Sequence, residues 1–149
     1  DPGNIYAERE DIWDLLKKVD VFLPNKYEIE RITGKNYIQG AELMIRKGVK
    51  VVCVKLGKEG CFISDGNEKF FVKPVRPVNV VDTTGAGDAF NAGFLYGLLK
   101  GYDLKLCGLA GNFVASRCIS EVGARSGLPY EEELRKFIKV YLDTNKISE

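Results

Sequence analysis

Residues 80–88, which read Val-Val-Asp-Thr-Thr-Gly-Ala-Gly-Asp, combine small residues and acids in a pattern suited to phosphoryl chemistry. Gly85, Ala86 and Gly87 open an apolar helical segment, so their backbone N–H groups are expected to lie bare at a helix N-terminus and attract an anion. Asp88 falls in the first turn of the same helix. A carboxylate there can take a proton from an attacking hydroxyl, while the N–H groups stabilise a transferring phosphoryl group.

Two better-known phosphate motifs do not fit this stretch. A dinucleotide fingerprint would need a third glycine at the position of Phe90, and no Gly-Lys-Ser/Thr triplet of a Walker A loop occurs. Taken alone, the stretch also has a purely structural interpretation. Asp88 would then only complement the helix dipole, and Asp82, Thr83 and Thr84 would act as caps.

The composition excludes several other classes of function. The chain has no histidine, so a general base must be Asp, Glu, Lys, Tyr or Cys. Lys and Arg number 22 against 21 Asp and Glu, a net charge of +1. That balance argues against a nucleic-acid partner or a membrane-binding patch. No apolar run approaches the ~20 residues of a spanning helix.

The cysteines indicate the cellular compartment of the protein, and the first residues indicate whether the chain is a fragment. No two of the four cysteines have CxxC spacing, so we expect small buried hydrophobes in a reducing compartment: Cys53, Cys61, Cys107 and Cys118. No signal or transit segment is recognisable, which predicts a cytoplasmic protein. The opening Asp1-Pro2-Gly3-Asn4 reads as a loop without a strand leading into it. We therefore expect a fragment or a processed chain.

Four segments together resemble a known family. Asp82 to Phe90 is similar to the C-terminal signature of the ribokinase-like (PfkB) carbohydrate kinases. Asn25-Lys26-Tyr27-Glu28 resembles their N-x-x-E motif, and residues 56–60 resemble their L-G-x-x-G turn. Asn112, followed by Gly123-Ala124, resembles the closing helix and loop. The resemblance covers nearly the whole chain, but it corresponds only to the C-terminal half of a family enzyme.

The resemblance implies a kinase mechanism around the glycine-rich turn. Asp88 would activate the substrate hydroxyl, and the N–H groups of Gly85, Ala86 and Gly87 would form the anion hole. The substrate would be a sugar or a nucleoside, phosphorylated from ATP. Asp82, the Thr84 carbonyl and backbone near Gly123 would match a potassium-type site, so the resemblance implies a potassium-type ion as a cofactor beside ATP and Mg²⁺.

The resemblance also assigns residues to Mg²⁺ and to the nucleotide. Asn25 and Glu28 would organise magnesium and phosphate, partly through water. Their structural interpretation is a helix cap and a solvated helix face. The residues expected along the nucleotide are Lys55, Gly57, Gly60 and Asn112. The two glycines could equally be turn formers, and Lys55 stands where family members usually have a small hydroxyl residue.

The missing N-terminal half leaves several functions open. That half would supply the sugar pocket and the lid, so the expected partners are a small-molecule substrate and either a second copy in a homodimer or the absent half itself. The alternatives are a non-catalytic nucleotide-binding module, a structural half-domain, and a kinase of the hydroxymethylpyrimidine/pyridoxal branch. The intact acid at Asp88 favours a catalytic function.

The elements that must position these residues alternate between helices and buried strands. This pattern predicts an α/β fold, and with the resemblance it predicts the C-terminal part of a ribokinase-like three-layer α/β/α sandwich, with a mostly parallel sheet and one β-hairpin. Residues 1–149 would form one nucleotide-binding and catalytic part. Small residues at Ala89, Ala92, Gly93 and Gly97 are expected to let their helix pack close to the sheet. Predicted helices cover 12–19, 26–32, 39–47, 87–100, 103–121 and 131–142; predicted strands cover 21–23, 51–56, 61–64 and 69–73.

Overall fold

The computed structural model describes residues 1–3, 9, 11–77 and 79–146. They divide into two compact units, Asp1–Pro74 and Val75–Glu149. The first unit combines a sheet with helices, and the helices described in the second unit are α-helices packed on one another. The residues singled out by the sequence are therefore shared between two units, each with its own packing.

The first unit contains a mixed four-stranded sheet in the order β1-β2-β3-β4. The strands are β1 (Val21–Phe22), β2 (Val51–Lys55), β3 (Cys61–Ser64) and β4 (Lys69–Val72). Strand β1 is parallel to β2, whereas β2, β3 and β4 pair antiparallel. The predicted hairpin is confirmed, and its turn is fixed by Asp65, whose carboxylate accepts the N–H groups of Asn67 (2.9 Å) and Glu68 (2.8 Å).

Three of the helices described in the first unit contribute to its core. They are α1 (Ile12–Leu16), α2 (Lys26–Thr33) and α3 (Tyr37–Arg46). The two longer helices connect β1 to β2, which is why those two strands run parallel. Their apolar faces bury Ile29 and Met44 against Val52, Val54 and Phe62.

Three longer helices are described in the second unit. They are α4 (Ala86–Leu99), α5 (Leu104–Cys118) and α6 (Glu131–Lys146). The start of α5 is capped by Asp103, whose carboxylate accepts the Leu106 N–H at 2.7 Å. Val80 and Val81, which lead towards α4, are exposed and belong to no described strand. Val78 lies outside the described residues.

Two of the small residues of α4 approach another helix of the second unit, and the expected packing of α4 against the sheet stays a prediction. A Cβ atom placed on Gly93 would lie 2.6 Å from the Ala110 carbonyl oxygen, and one on Gly97 would lie 3.0 Å from the Cys107 Cα atom. Helix α5 is thus the partner of this face. The spacing of small residues predicts a close approach, but it does not say which element approaches.

The four cysteines are buried and unbridged, as expected for small apolar side chains. Within the described ranges, no helix is both long and apolar enough to cross a membrane.

Candidate functional site

In the first unit, Asn25 and Glu28 form a reciprocal cap at the start of α2. The Asn25 side-chain oxygen accepts the Glu28 N–H at 2.8 Å, and a Glu28 carboxylate oxygen accepts the Asn25 N–H at 2.7 Å. Glu28 is only 3% exposed, so the alternative interpretation that places it on a solvated helix face does not hold. The cap satisfies two backbone donors at a helix start. Helix capping alone therefore explains why Asn and Glu occur at this spacing in the N-x-x-E motif.

The sheet places Lys55 beside this cap. The Lys55 N–H donates to the Pro24 carbonyl oxygen at 2.9 Å, and Asn25 and Lys55 form a parallel bridge. The ends of β1 and β2 therefore bring the N-x-x-E motif and Lys55 together. The Lys55 ammonium group is largely buried and forms an ion pair with the Asp1 carboxylate.

The turn after β2 distinguishes its two glycines. Gly60 has a φ of 90°, and a Cβ atom there would lie 2.1 Å from the Val72 carbonyl oxygen, so no larger residue fits. Gly57 also has a positive φ of 59°, but a Cβ atom there would meet nothing within 4 Å. Gly60 is thus required by packing against β4. Gly57 leaves an open surface, as the approach of a ligand would require.

In the second unit, the glycine-rich turn presents backbone donors at the start of α4. Gly85 is the N-cap residue, with a left-handed φ of 78°. Within the described residues, no group accepts the N–H of Gly85 or Gly87. The Ala86 N–H differs from the expectation, because it donates to the Thr83 carbonyl oxygen at 3.3 Å. Two of the three expected donors are therefore bare.

Asp88 lies exposed in the first turn of α4, beside these donors. None of the described residues donates a hydrogen bond to its carboxylate. A first-turn carboxylate is stabilised by the helix dipole. Its oxygens nevertheless remain accessible to a hydroxyl that gives up a proton.

Asp82 has a different environment, six residues before Asp88. One of its carboxylate oxygens accepts the Thr84 N–H at 2.9 Å, and the other accepts the Gly123 N–H at 2.8 Å. These hydrogen bonds hold the pKa of Asp82 below its usual value, and the bond from the Thr84 N–H has the largest effect. Asp82 thus ties the turn before α4 to the loop after α5.

Cys118 contacts the same two segments, which its surroundings in the sequence do not predict. Its thiol lies 3.6 Å from the Thr84 carbonyl oxygen and 3.5 Å from that of Ala124. Burial raises the pKa of the Cys118 thiol, and the nearby Asp82 and Asp88 carboxylates raise it further. No spacing rule in the sequence marks this cysteine, because its contacts depend on how the two segments meet.

Asn112 lies within α5 and is 7% exposed. Most of its side chain is therefore buried. No cluster of three or more His, Cys, Asp or Glu side chains suited to a metal ion occurs among the residues that the structure describes.

Comparison with known proteins identifies the family. Residues 4–131 match the model of the pfkB family of carbohydrate kinases. An uncharacterized sugar kinase of Archaeoglobus fulgidus is 56% identical over 131 residues, which are 87% of this chain and 52% of that protein. The chain belongs to the pfkB family. This confirms the family resemblance drawn from the four sequence segments.

Two further similarities extend the comparison to function and fold. The 2-dehydro-3-deoxygluconokinase of Bacillus subtilis is 36% identical over 84% of this pfkB chain and 39% of its own length. The structure of Arabidopsis thaliana ribokinase complexed with ribose and ATP superposes with a TM-score of 0.78 at 31% identity, covering 85% of this chain and 43% of the ribokinase. The predicted ribokinase-like α/β fold is confirmed. The chain spans between about two-fifths and one-half of the length of these proteins.

Proposed function

We propose that this chain carries the nucleotide-binding and catalytic part of an enzyme that transfers phosphate from ATP to a hydroxyl of a sugar or nucleoside. Its membership of the pfkB family and its similarity to a ribokinase bound to ribose and ATP support this proposal. The observation that carries it is the start of α4. There, two bare backbone N–H groups and an accessible carboxylate share one helical turn.

In the proposed reaction, Asp88 is the general base. Its carboxylate accepts the proton of the attacking hydroxyl, whose oxygen then bonds to the γ-phosphorus of ATP as the bond to the ADP oxygen breaks. The N–H groups of Gly85 and Gly87 stabilise the negative charge on the transferring group. Ala86 would join them by giving up its 3.3 Å bond to Thr83.

The first unit has the residues for a water-mediated magnesium site. Asn25 and Glu28 each use one side-chain oxygen in the helix cap, which leaves the second Glu28 oxygen and the Asn25 amide NH₂ for other partners. Mg²⁺ keeps several water ligands and binds phosphates directly, so the free Glu28 oxygen would accept a hydrogen bond from one of its waters and the Asn25 NH₂ would donate to a phosphate oxygen. When bound, the ion would neutralise charge on the phosphates. Lys55, Gly57 and Gly60, and in the second unit Asn112, are proposed to lie along the nucleotide.

A potassium-type ion is proposed at Asp82, the Thr84 carbonyl and the Gly123 loop. These groups already converge in the second unit, through the bonds from Asp82 to Thr84 and Gly123. A cation there would hold the turn in its donor geometry before the substrate arrives. For a form of the protein that spans the full length of its relatives, we expect clearly higher activity in potassium than in tetramethylammonium. Equal rates would remove the ion from the mechanism.

The substitution Asp88→Asn tests the proposed function. Asn keeps the shape of the side chain but accepts no proton, so kcat should fall by about 10²–10⁴-fold. The loss of a dipole partner costs only about 0.3–1 kcal/mol of stability, and ATP should still bind because the donors are backbone groups. Activity is measured in the same full-length form, and ATP binding and melting temperature are measured in parallel.

Asp103→Asn is the matched control for this experiment. Asp103 also starts a helix, but its carboxylate caps α5 by accepting the Leu106 N–H, and Asn caps a helix as well as Asp does. This control should change neither kcat nor stability. If Asp88→Asn kept near-normal kcat but melted earlier, the carboxylate would be structural, and a non-catalytic nucleotide-binding module would be the better interpretation.

A further inference from the structure

Two side chains of opposite hydrogen-bonding character join the turn before α4 to the loop after α5. Asp82 accepts the N–H groups of Thr84 and Gly123. Cys118 directs its thiol at the carbonyl oxygens of Thr84 (3.6 Å) and Ala124 (3.5 Å). Each segment therefore has one N–H group bound by the Asp82 carboxylate and one carbonyl oxygen beside the Cys118 thiol, whose single proton the two carbonyl groups share.

The bond to the Thr84 carbonyl has a consequence for the neighbouring donor. The Thr84 carbonyl and the Gly85 N–H belong to the same peptide group, which is planar and trans, so they point in opposite directions. Any rotation that moves the carbonyl away from the sulfur also turns the Gly85 N–H. Glycine tolerates such rotations more readily than other residues do, so an external contact is needed to fix this peptide.

We propose that Cys118 is a positioning residue for the anion hole, because its thiol holds the Thr84 carbonyl and thereby aims the Gly85 N–H at a bound phosphate. This inference rests on the proposed phosphate-binding function of the turn. Two further features agree with it. The side chain is fully buried, so water does not compete for its proton. Gly85 also packs against Ala124, since a Cβ atom at Gly85 would lie 2.6 Å from the Ala124 Cβ atom.

Cys107 provides a matched control on the same helix. It is equally buried, and its thiol lies 3.5 Å from a carbonyl oxygen, that of Tyr102, outside the glycine-rich turn. Burial raises the pKa of the Cys107 thiol to about 12, so it too is a protonated donor. Cys107→Ala should thus repeat the packing loss of Cys118→Ala without disturbing the turn.

The first measurement is the orientation of the Gly85 N–H bond, read as a residual dipolar coupling in the 149-residue chain without ligand. We expect Cys118→Ala to change this coupling and Cys107→Ala to leave it at the wild-type value. Cys118→Ser retains a donor and should lie closer to wild type than Cys118→Ala. If Cys118→Ala does not fold, Cys118→Ser is compared with Cys107→Ser, and a Gly85 coupling displaced equally in both would overturn the proposal.

The second measurement is a titration with inorganic tripolyphosphate, followed at the Gly85 and Gly87 amide resonances. Loss of one positioned hydrogen bond should weaken binding by about 3- to 10-fold in Cys118→Ala, with Cys107→Ala unchanged. If the Gly85 amide resonance of the wild-type chain does not shift when tripolyphosphate is added, both the proposed function and this inference are overturned. If the wild-type resonance does shift, but Cys118→Ala keeps both the wild-type Gly85 coupling and the wild-type affinity for tripolyphosphate, only the inference is overturned.

Discussion

Asp82 and Asp88 show how two identical side chains in one motif acquire different roles. Both oxygens of Asp82 already accept backbone N–H groups, and these bonds stabilise its ionised form. Asp88 is exposed, with no donor among the described residues. Asp82 is therefore suited to hold the turn together, and Asp88 is suited to accept a proton. The sequence places both acids in the motif, but their division of labour depends on the loop after α5.

The depressed pKa of Asp82 predicts a pH dependence at the amides it binds. Because the folded-state pKa lies below the unfolded value of about 3.9, the stability that Asp82 contributes is fully present above that value. It is lost as pH falls through the lower, folded-state pKa. The Gly123 amide proton should therefore shift with a midpoint below about 3.9 in an NMR pH titration. Asp82→Asn should abolish this shift, and a midpoint at or above the ordinary aspartate value would contradict the assignment.

At the scale of elements, helix α2 combines a structural motif with a proposed functional one. Its start at Asn25 and its end at Gly34, which has a left-handed φ of 64°, follow from local side-chain and backbone preferences. The sequence predicted a helix over 26–32 for that reason. The cap alone would account for Asn25 and Glu28, so the proposed role in organising phosphate needs a variant that separates the two functions.

Asn25→Ser and Asn25→Ala make that separation. Serine caps a helix about as well as asparagine, so Asn25→Ser should leave the free energy of unfolding nearly unchanged, whereas Asn25→Ala should lower it by about 1 kcal/mol. Both variants lack the amide NH₂ and should bind ATP with Mg²⁺ more weakly. Urea unfolding measures the stability, and titration calorimetry measures the affinity. Wild-type affinity in Asn25→Ser would assign the motif to helix capping alone.

The elements that the sequence predicted well are those with local signals. The hairpin follows from Asp65-Gly66-Asn67, and α5 begins at its capping Asp103. The contact of Gly93 with Ala110 and the contacts of Cys118 join residues far apart in the chain. A pattern in the sequence identifies a helix face of small residues or a buried position, but it does not identify the element that packs against that face or position. The family resemblance supplied the candidate site residues, while the hydrogen bonds around them required the structure.

At the scale of the whole molecule, the proposed roles are distributed over two compact units. The first contains the N-x-x-E motif and the turn after β2, and the second contains the glycine-rich turn and Asp88. Each set of contacts described above is internal to its own unit. The chain spans about half or less of the length of the relatives compared here. Its own residues therefore account for a proposed nucleotide and phosphate site, whereas recognition of the sugar is expected from the part of the family fold that it does not match.

This division predicts which ligands the 149-residue chain binds by itself. ATP with Mg²⁺ should bind weakly, with a dissociation constant on the order of 1 mM, because the bare N–H groups of the turn are present in the chain. Ribose, which lacks a phosphate, should give no measurable heat in the same calorimetric titration. Asp88→Asn should retain ATP binding, since it leaves the backbone donors in place. Binding of ribose as tight as that of ATP would show that this chain contains a sugar site, and it would contradict the proposed separation of nucleotide and sugar recognition.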